Sequence, residues 1–156
     1  MVMDLDNFKR VNDTLGHQAG DRLVIEVAVT LRKHLRDRDL VARLGGDEFA
    51  VVLHDGDCWA AESVARKLVL AVRDEVNGGV DGVTVSLGVT PFDLFKGVNA
   101  RDALRSADAA MYTVKRSGRN GYAVAGADEG PRHARSRREP AARPGWAERA
   151  VRAGAH

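Results

Sequence analysis

Apolar residues in the first 125 positions recur with two different periods. Leu23, Val27, Leu31 and Leu35 follow one another at intervals of four, which predicts an amphipathic helix over about residues 18–36. The same spacing predicts two further helices, marked by one stripe at Val64, Leu68, Val72 and Val76 and by another at Leu104, Ala107, Met111 and Val114. Each helix has one apolar face, so we expect all three to pack on a common layer.

Short apolar runs bounded by turn residues predict that this layer is a sheet. Residues 39–44 and 48–53 flank Gly45 and Gly46, and we expect a hairpin because glycine adopts the positive φ that a tight turn requires. Residues 83–90, VTVSLGVT, form the clearest strand pattern. A short last strand is predicted over residues 122–124.

The predicted order is β, α, β, β, α, β, α, β, which indicates an α/β (α+β) sandwich. We expect a mixed, mostly antiparallel sheet with helices packed on it, close to the ferredoxin-like arrangement. The first strand is the exception. Only Met1, Val2 and Met3 precede Asp4, whereas a strand usually has about five or six residues, so this strand is predicted to be incomplete.

Charge is unevenly distributed along the chain. Lys and Arg outnumber Asp and Glu by 24 to 22, but residues 126–156 contain seven Arg against four acidic residues, and three of the four prolines. This composition predicts a disordered basic tail of Arg, Ala, Gly and Pro. Residues 1–125 have a net charge of −1 and are predicted to form one domain, so we expect no nucleic-acid partner.

Three features of the sequence predict a cytoplasmic protein. No apolar run approaches the roughly 20 residues that a membrane-spanning helix needs. The N-terminus is acidic where a secretory signal requires basic residues. The single cysteine, Cys58, cannot form an internal disulfide, which is typical of a reducing compartment.

Four carboxylates are predicted to meet at one end of the sheet. Asp4 and Asp6 end the first strand, and Asp47 and Glu48 lie at the tip of the hairpin. Hard oxygen ligands with no Cys or His beside them suit Mg²⁺ or Mn²⁺, and such sites usually bind phosphates. Taken singly, each acid is equally typical of a turn or helix cap.

The motif RLGGDEF at residues 43–49 resembles the signature of the GGDEF family, the diguanylate cyclases. Three further blocks resemble the family in the expected order: DLDNFKRVNDTLGHQAGD at 4–21, SLGVT at 86–90 and ADAAMYTVKRSGRNGY at 107–122. The resemblance implies a GGDEF catalytic domain over residues 1–125, with a sheet like the palm of nucleotide cyclases.

The resemblance also implies a metal site and a phosphate site. Lys115 and Arg119 match the pair that neutralises the β- and γ-phosphates, and Asp47 is the candidate base for a ribose 3′-hydroxyl. The implied ligands of Mg²⁺ or Mn²⁺ are Asp4, the main-chain carbonyl of Leu5, Asp47 and Glu48.

Substrate contacts follow from the same blocks. Phe8 and Lys9 match positions that contact phosphates. Gly45 and Gly46 fit a backbone that approaches a triphosphate closely, because a Cβ would obstruct it.

Asn12 and Asp21 match the residues that read guanine, since a carboxylate accepts from N1–H and the amino group and an amide pairs with N3 or O6. Without the resemblance, a turn residue and a helix-start charge are the alternatives. Arg36 and Asp39 match the RxxD site at which the product, cyclic di-GMP, inhibits the enzyme; a charged helix end is the alternative.

The implied reaction condenses two GTP into cyclic di-GMP and two pyrophosphates, and it needs a homodimer because each domain holds one GTP. The alternative is an inactive GGDEF module that binds cyclic di-GMP or GTP and signals through a partner. The family normally has a DxLTGLxNR segment, a helix and a full first strand before the metal aspartate. Since Met1 lies three residues before Asp4, we expect an N-terminally truncated domain that folds poorly alone.

Overall fold

A computed structural model describes residues 1–54, 57–76, 83–91, 99–126 and 130–133. The helices among them are α1 (Phe8–Leu15), α2 (His17–His34), α3 (Cys58–Glu75) and α4 (Ala100–Arg116). The strands are β1 (Val2–Asp6), β2 (Leu40–Gly45), β3 (Glu48–Val52), β4 (Thr84–Val89), β5 (Gly121–Val124) and β6 (Arg132–His133). None of the helices described is long and apolar enough to cross a membrane.

These strands form one sheet in the order β2-β3-β1-β4-β5-β6. The β4–β5 pair is parallel and its connection contains α4, while every other neighbouring pair is antiparallel. The predicted mixed, mostly antiparallel α/β fold is therefore confirmed, including the hairpin of β2 and β3.

Helices cover both faces of the sheet because side chains alternate along each strand. Met3 and Leu5 point from β1 into the larger core, which contains the buried faces of α2 and α3. Val2 points to the opposite face and packs on Ala107 and Met111 of α4. Asp4 and Asp6 continue this second face, so the end of β1 presents its carboxylates on the α4 side of the sheet.

Gly88 in β4 allows α4 to lie directly on the sheet. A Cβ at this position would be 1.9 Å from the carbonyl oxygen of Ala107 and 2.6 Å from the amide nitrogen of Met111. Both atoms belong to backbone, which cannot move aside as a flexible side chain can. Glycine at residue 88 thus sets how closely α4, the helix that carries Lys115, approaches the sheet.

The first strand is paired along both of its edges. β1 contains five residues, all of them buried, and it pairs with β3 on one side and β4 on the other. The sequence analysis ends this strand at Asp4 and Asp6, as the structure does, and expects it to be incomplete because only three residues precede Asp4. Leu5 continues the apolar alternation, and the intervening Asp4 and Asp6 are accommodated by polar partners, so the strand extends to residue 6.

Two elements are absent from the sequence prediction. α1 precedes α2 and is separated from it by Gly16, whose φ of 82° breaks the helix. β6 lies inside the segment predicted to be disordered, which is wrong for Arg132 and His133, because these residues pair with β5. Residues 127–129 and 134–156 of the predicted tail lie outside the described residues.

The apolar stripe of α4 is also partly different. Ala107, Met111 and Val114 are buried as predicted, but Leu104 is 44% exposed and Ala103 is buried instead. Near the start of α4, the small side chain of Ala103 therefore packs against the protein, and the larger side chain of Leu104 faces solvent.

Candidate functional site

The C-terminal end of β1 lies beside the hairpin tip that carries Asp47 and Glu48. Asp4 lies opposite Glu48 in the register of β1 and β3. One residue further on, the Leu5 amide donates to the carbonyl oxygen of Asp47 at 3.2 Å. The hairpin tip is thus fastened to the strand that carries Asp4, and strand pairing brings the backbones of Asp47 and Glu48 beside Asp4 and Leu5.

Asp4 is the most perturbed carboxyl group of the site. Burial raises the pKa of Asp4, and the negative charges of Asp47 and Asp6 add to this effect. Lys115 opposes it with a hydrogen bond and a positive charge, its Nζ lying 2.8 Å from Asp4 Oδ2. A buried carboxylate facing other carboxylates, with a cation beside it, is an arrangement that favours binding of further positive charge.

Asp6, the fourth carboxylate that the sequence analysis expects here, is held by hydrogen-bond donors of its own. Its side chain is buried and accepts hydrogen bonds from Thr84 Oγ1 at 2.7 Å, Ser86 Oγ at 2.7 Å and the Asn120 amide at 3.1 Å. These three donors point the carboxylate towards β4 and the segment after α4. Within the described ranges, no three His, Cys, Asp or Glu side chains are grouped as metal ligands.

Arg43 holds the hairpin turn, a role that the sequence analysis missed. Its Nε and Nη2 donate to the carbonyl oxygen of Gly46 at 3.0 and 2.7 Å. Gly46 has a φ of 50°, whereas Gly45 is the last residue of β2, so only one of the two glycines supplies the positive φ. A Cβ at either glycine would meet no protein atom within 4 Å, so the space above the turn is open.

Helix α1 starts directly after β1 and presents its N-terminus at the same end of the sheet. The N-cap residue, Asn7, is left-handed with a φ of 63° and makes no side-chain hydrogen bond to the first turn. The amides of Phe8 and Lys9 therefore have no intrahelical acceptor, and such a helix end attracts anions. Phe8 packs partly against the core, while Lys9 is exposed.

The segment Ser117–Asn120, which we call the phosphate loop, follows α4 and carries Arg119. Gly118, Arg119 and Asn120 all have positive φ, at 117°, 62° and 49°. The Asn120 amide bonds to Asp6, two residues from Asp4, so the loop lies beside the end of β1. Lys115 thus contacts Asp4 itself, and the backbone of the loop that carries Arg119 is held beside the end of the same strand.

Asn12 and Asp21 come from two packed helices. A Cβ at Gly20 would be 2.0 Å from Asn12 Oδ1 and 3.2 Å from Phe8 Cζ, so the Asn12 side chain lies directly on the backbone of α2. Asp21 is the next residue, and it is exposed. The structure therefore packs Asn12 on Gly20, the residue that precedes Asp21 in α2.

Arg36 and Asp39 lie at the other end of β2 from the hairpin turn. The Asp39 carboxylate accepts from the backbone amides of Arg36 at 2.9 Å and His54 at 3.2 Å. Burial raises the pKa of Asp39, but the two amides and the charges of Arg36 and Arg38 outweigh this effect and hold the pKa below its ordinary value. Asp39 thus closes the loop before β2, and Arg36 is exposed.

Comparison with known families agrees with this geometry. The family model described as diguanylate cyclase, GGDEF domain, matches residues 1–121. The chain belongs to the GGDEF family. The match includes the hairpin, both ends of β1, the first helices and the phosphate loop. It therefore covers all the site residues that the sequence analysis names.

Curated GGDEF relatives support the enzyme class. The chain is 40% identical over 126 residues to the bifunctional diguanylate cyclase/cyclic di-GMP phosphodiesterase MucR of Pseudomonas aeruginosa, covering 78% of this chain and 18% of MucR. It is 37% identical over 123 residues to diguanylate cyclase A of Treponema denticola, covering 77% and 33%. The chain thus spans 18% of the length of MucR and 33% of the length of diguanylate cyclase A.

Solved GGDEF structures share the fold. The GGDEF domain of DgcB from Caulobacter crescentus, in complex with c-di-GMP, has a TM-score of 0.72 at 30% identity, covering 81% of this chain and 76% of that one. Diguanylate cyclase SiaD of Pseudomonas aeruginosa, in complex with its activator SiaC, has a TM-score of 0.72 at 38% identity, covering 80% and 48%. The fold of this chain is therefore that of solved GGDEF domains.

Proposed function

We propose that the chain is the catalytic domain of a diguanylate cyclase, which condenses two GTP into cyclic di-GMP and two pyrophosphates. One observation carries the proposal: Asp4, the backbone of Asp47, the N-terminus of α1, the Lys115 ammonium and the loop that carries Arg119 all lie around the end of β1. These groups match the needs of a nucleoside triphosphate, namely carboxylates for a cation and positive groups for the phosphates. Membership of the GGDEF family supports it.

The donor set fits Mg²⁺ or Mn²⁺. Such ions are bound through one or two carboxylates together with substrate phosphates, so a ready-made cage of three acids is not required. We assign Asp4, Asp47, Glu48 and the Leu5 carbonyl as the protein ligands. When bound, the cation would polarise the phosphate oxygens and lower the pKa of the attacking hydroxyl.

The chemical step forms one bond and breaks one. The 3′-oxygen of one GTP bonds to the α-phosphorus of the other, and the bond from that phosphorus to the β-bridging oxygen breaks. Pyrophosphate leaves with the electron pair, the hydroxyl proton passes to the carboxylate of Asp47, and Lys115 and Arg119 stabilise the charge on the leaving group. The same step in the opposite direction closes the ring.

Each domain holds one GTP, so we propose a homodimer in which two sites face each other. Asn12 and Asp21 read the guanine edge, and Gly20 leaves the space in which Asn12 is held against α2. We place the reaction in the cytoplasm, where GTP is available and where the free thiol of Cys58 stays reduced.

Feedback inhibition by cyclic di-GMP is proposed at Arg36 and Asp39. The geometry divides their roles, since the Asp39 carboxylate already accepts two backbone amides and Arg36 is exposed. Arg36 would bind a phosphate or guanine edge of the product, while Asp39 would shape the loop.

The proposal is tested with the full chain, GTP and Mg²⁺, at a concentration where sedimentation shows a dimer. We expect cyclic di-GMP and pyrophosphate in a ratio of one to two, none with Asp47→Asn, and unchanged product with the matched control Asp13→Asn, an exposed acid of α1. A dimer that binds GTP but makes no product would replace the cyclase with the inactive binding module. A chain that binds neither GTP nor cyclic di-GMP would exclude both.

A further inference from the structure

We infer that β6 is a positioning element for the phosphate loop and that His133 is the residue through which it acts. The inference rests on the proposed function, because the loop matters for catalysis only if Arg119 binds phosphates. It adds His133 to the residues on which the proposed active site depends. His133 lies twelve positions beyond residue 121, where the match to the family model ends.

The phosphate loop needs support because its backbone is unfavourable. Three consecutive residues have positive φ, and two of them, Arg119 and Asn120, have side chains. L-residues with a Cβ are disfavoured in this region, so an unsupported loop would sample other conformations. The direction of the Arg119 side chain depends on the same backbone angles.

Hydrogen bonds hold the loop from the side of the sheet. The Arg119 amide donates to the Val114 carbonyl of α4 at 3.0 Å. The Asn120 amide donates to Asp6 Oδ2 at 3.1 Å. These bonds fix the amide groups and leave the carbonyl of Arg119 on the outer side of the loop.

His133 completes the support from that outer side. Its Nδ1 lies 2.7 Å from the Arg119 carbonyl oxygen, and since a carbonyl only accepts, Nδ1 carries the proton. The imidazole also covers Gly118, whose missing Cβ would lie 4.0 Å from His133 Cε1. The peptide of Arg119 is thus held on one side by α4 and on the other by β6.

β6 is itself firmly seated, which a short terminal strand requires if it is to position anything. It pairs with β5 at Gly121 and Tyr122. A Cβ on Gly121 would be 2.4 Å from the Arg132 carbonyl oxygen, so glycine permits this close approach. Arg132 forms an ion pair with Glu62 of α3, which also accepts the Tyr122 hydroxyl at 3.1 Å.

The test compares His133→Leu, which removes the donor, with His133→Asn, which keeps an N–H donor near the Nδ1 position. Each is made in the full chain, and the dissociation constant is measured for α,β-methylene-GTP with Mg²⁺ and for GMP. We expect His133→Leu to weaken binding of the triphosphate about fivefold and to leave the affinity for GMP unchanged, and we expect the same pattern for Arg119→Ala. His133→Asn should bind both nucleotides like the wild type. The double variant Arg119→Ala/His133→Leu should bind no more weakly than Arg119→Ala.

Triphosphate binding that is unchanged in His133→Leu but weakened in Arg119→Ala would overturn the inference. So would a loss of GMP affinity in His133→Leu equal to its loss of triphosphate affinity. A second measurement separates it from the proposed function. Hydrogen exchange of the Arg119 and Asn120 amides, measured without nucleotide, should be faster in His133→Leu than in His133→Asn. If the wild type binds no triphosphate, the proposed function fails, and equal exchange rates in the two variants overturn the positioning role.

Discussion

Lys115 Nζ lies 2.8 Å from Asp4 Oδ2, which joins the last turn of α4 to the central strand of the sheet. The side chains are 29% and 13% exposed, so the pair is shielded from much of the solvent. Lys115 therefore offsets the charge of a carboxylate that burial and Asp47 make unfavourable. In the proposed reaction the same lysine serves the phosphates, so the pair links the stability of the site to its chemistry.

Replacing Lys115 with Met should therefore destabilise the protein. The variant leaves Asp4 buried beside Asp47 with no cation, and we expect a loss of about 1–3 kcal/mol in the free energy of unfolding. Urea denaturation in EDTA measures it, with Lys67→Met, an exposed lysine of α3, as the matched control. On an Asp4→Asn background the same change should cost much less, and an equal loss on both backgrounds would show that the pair is not coupled.

Asp6→Asn should destabilise the fold although it changes few atoms. Asp6 Oδ2 accepts from Thr84 Oγ1 and the Asn120 amide, and Oδ1 accepts from Ser86 Oγ. Asparagine has only one side-chain oxygen, so its NH₂ group must replace one of these two acceptors. A buried donor left without an acceptor costs about 1–3 kcal/mol. Chemical denaturation should show this loss for Asp6→Asn and a change within about 0.5 kcal/mol for Asp13→Asn. Equal stability of the two variants would contradict the buried role of Asp6.

Gly20→Ala should alter base selectivity with little loss of stability. The new Cβ would occupy the position of Asn12 Oδ1, which belongs to the flexible end of a side chain and can move away. Alanine is the better helix former by about 1 kcal/mol, which offsets the cost of this movement. We expect the preference for GTP over ATP to fall roughly tenfold in competition binding, the loss of about one hydrogen bond. In an Asn12→Ala background the substitution should have no further effect; a further loss there would place the cause elsewhere.

The stability of the protein should depend on Asp39 in acid. Its pKa is lowered in the folded state, so the carboxylate stabilises the fold above about pH 4, and this contribution disappears as pH falls through the folded pKa. Asp39→Asn should be about 1–2 kcal/mol less stable than the wild type at pH 7, because one of the two backbone amides loses its acceptor. Thermal unfolding from pH 7 to pH 2.5 should show the difference shrinking. A difference that stays constant with pH would mean that Asp39 does not titrate with folding.

The spacing of apolar residues was sufficient to predict the helices in which one hydrophobic period repeats over several turns. Leu23, Val27 and Leu31 are buried in α2 as their spacing predicts, and the turn at Gly46 joins two strands. The hydrophobic periodicity did not predict α1, because this helix has eight residues and Val11 is its buried residue. Its apolar pattern is therefore short. The spacing of Phe8 and Val11 is the one sign that could have shown it.

Residues whose role depends on distant partners could not be read in this way. Asp6 bonds to groups 78, 80 and 114 positions away, and no local feature separates it from Asp4, two residues earlier on the same face. His133 lies in an Arg- and Pro-rich segment with no apolar period. Its contact with Arg119 exists only because Gly121 lets β6 approach β5.

The sequence by itself determined the family, the order of most elements and the types of chemical group available: carboxylates for a cation, lysine and arginine for phosphates, and an amide and an acid for guanine. Only the tertiary structure decided which of these groups work together. Asp4 faces Asp47 and Lys115, whereas the Asp6 carboxylate accepts hydrogen bonds from Thr84, Ser86 and Asn120. The physical reason is that a buried charge is governed by the donors and charges around it, and those are brought there by strand pairing and helix packing.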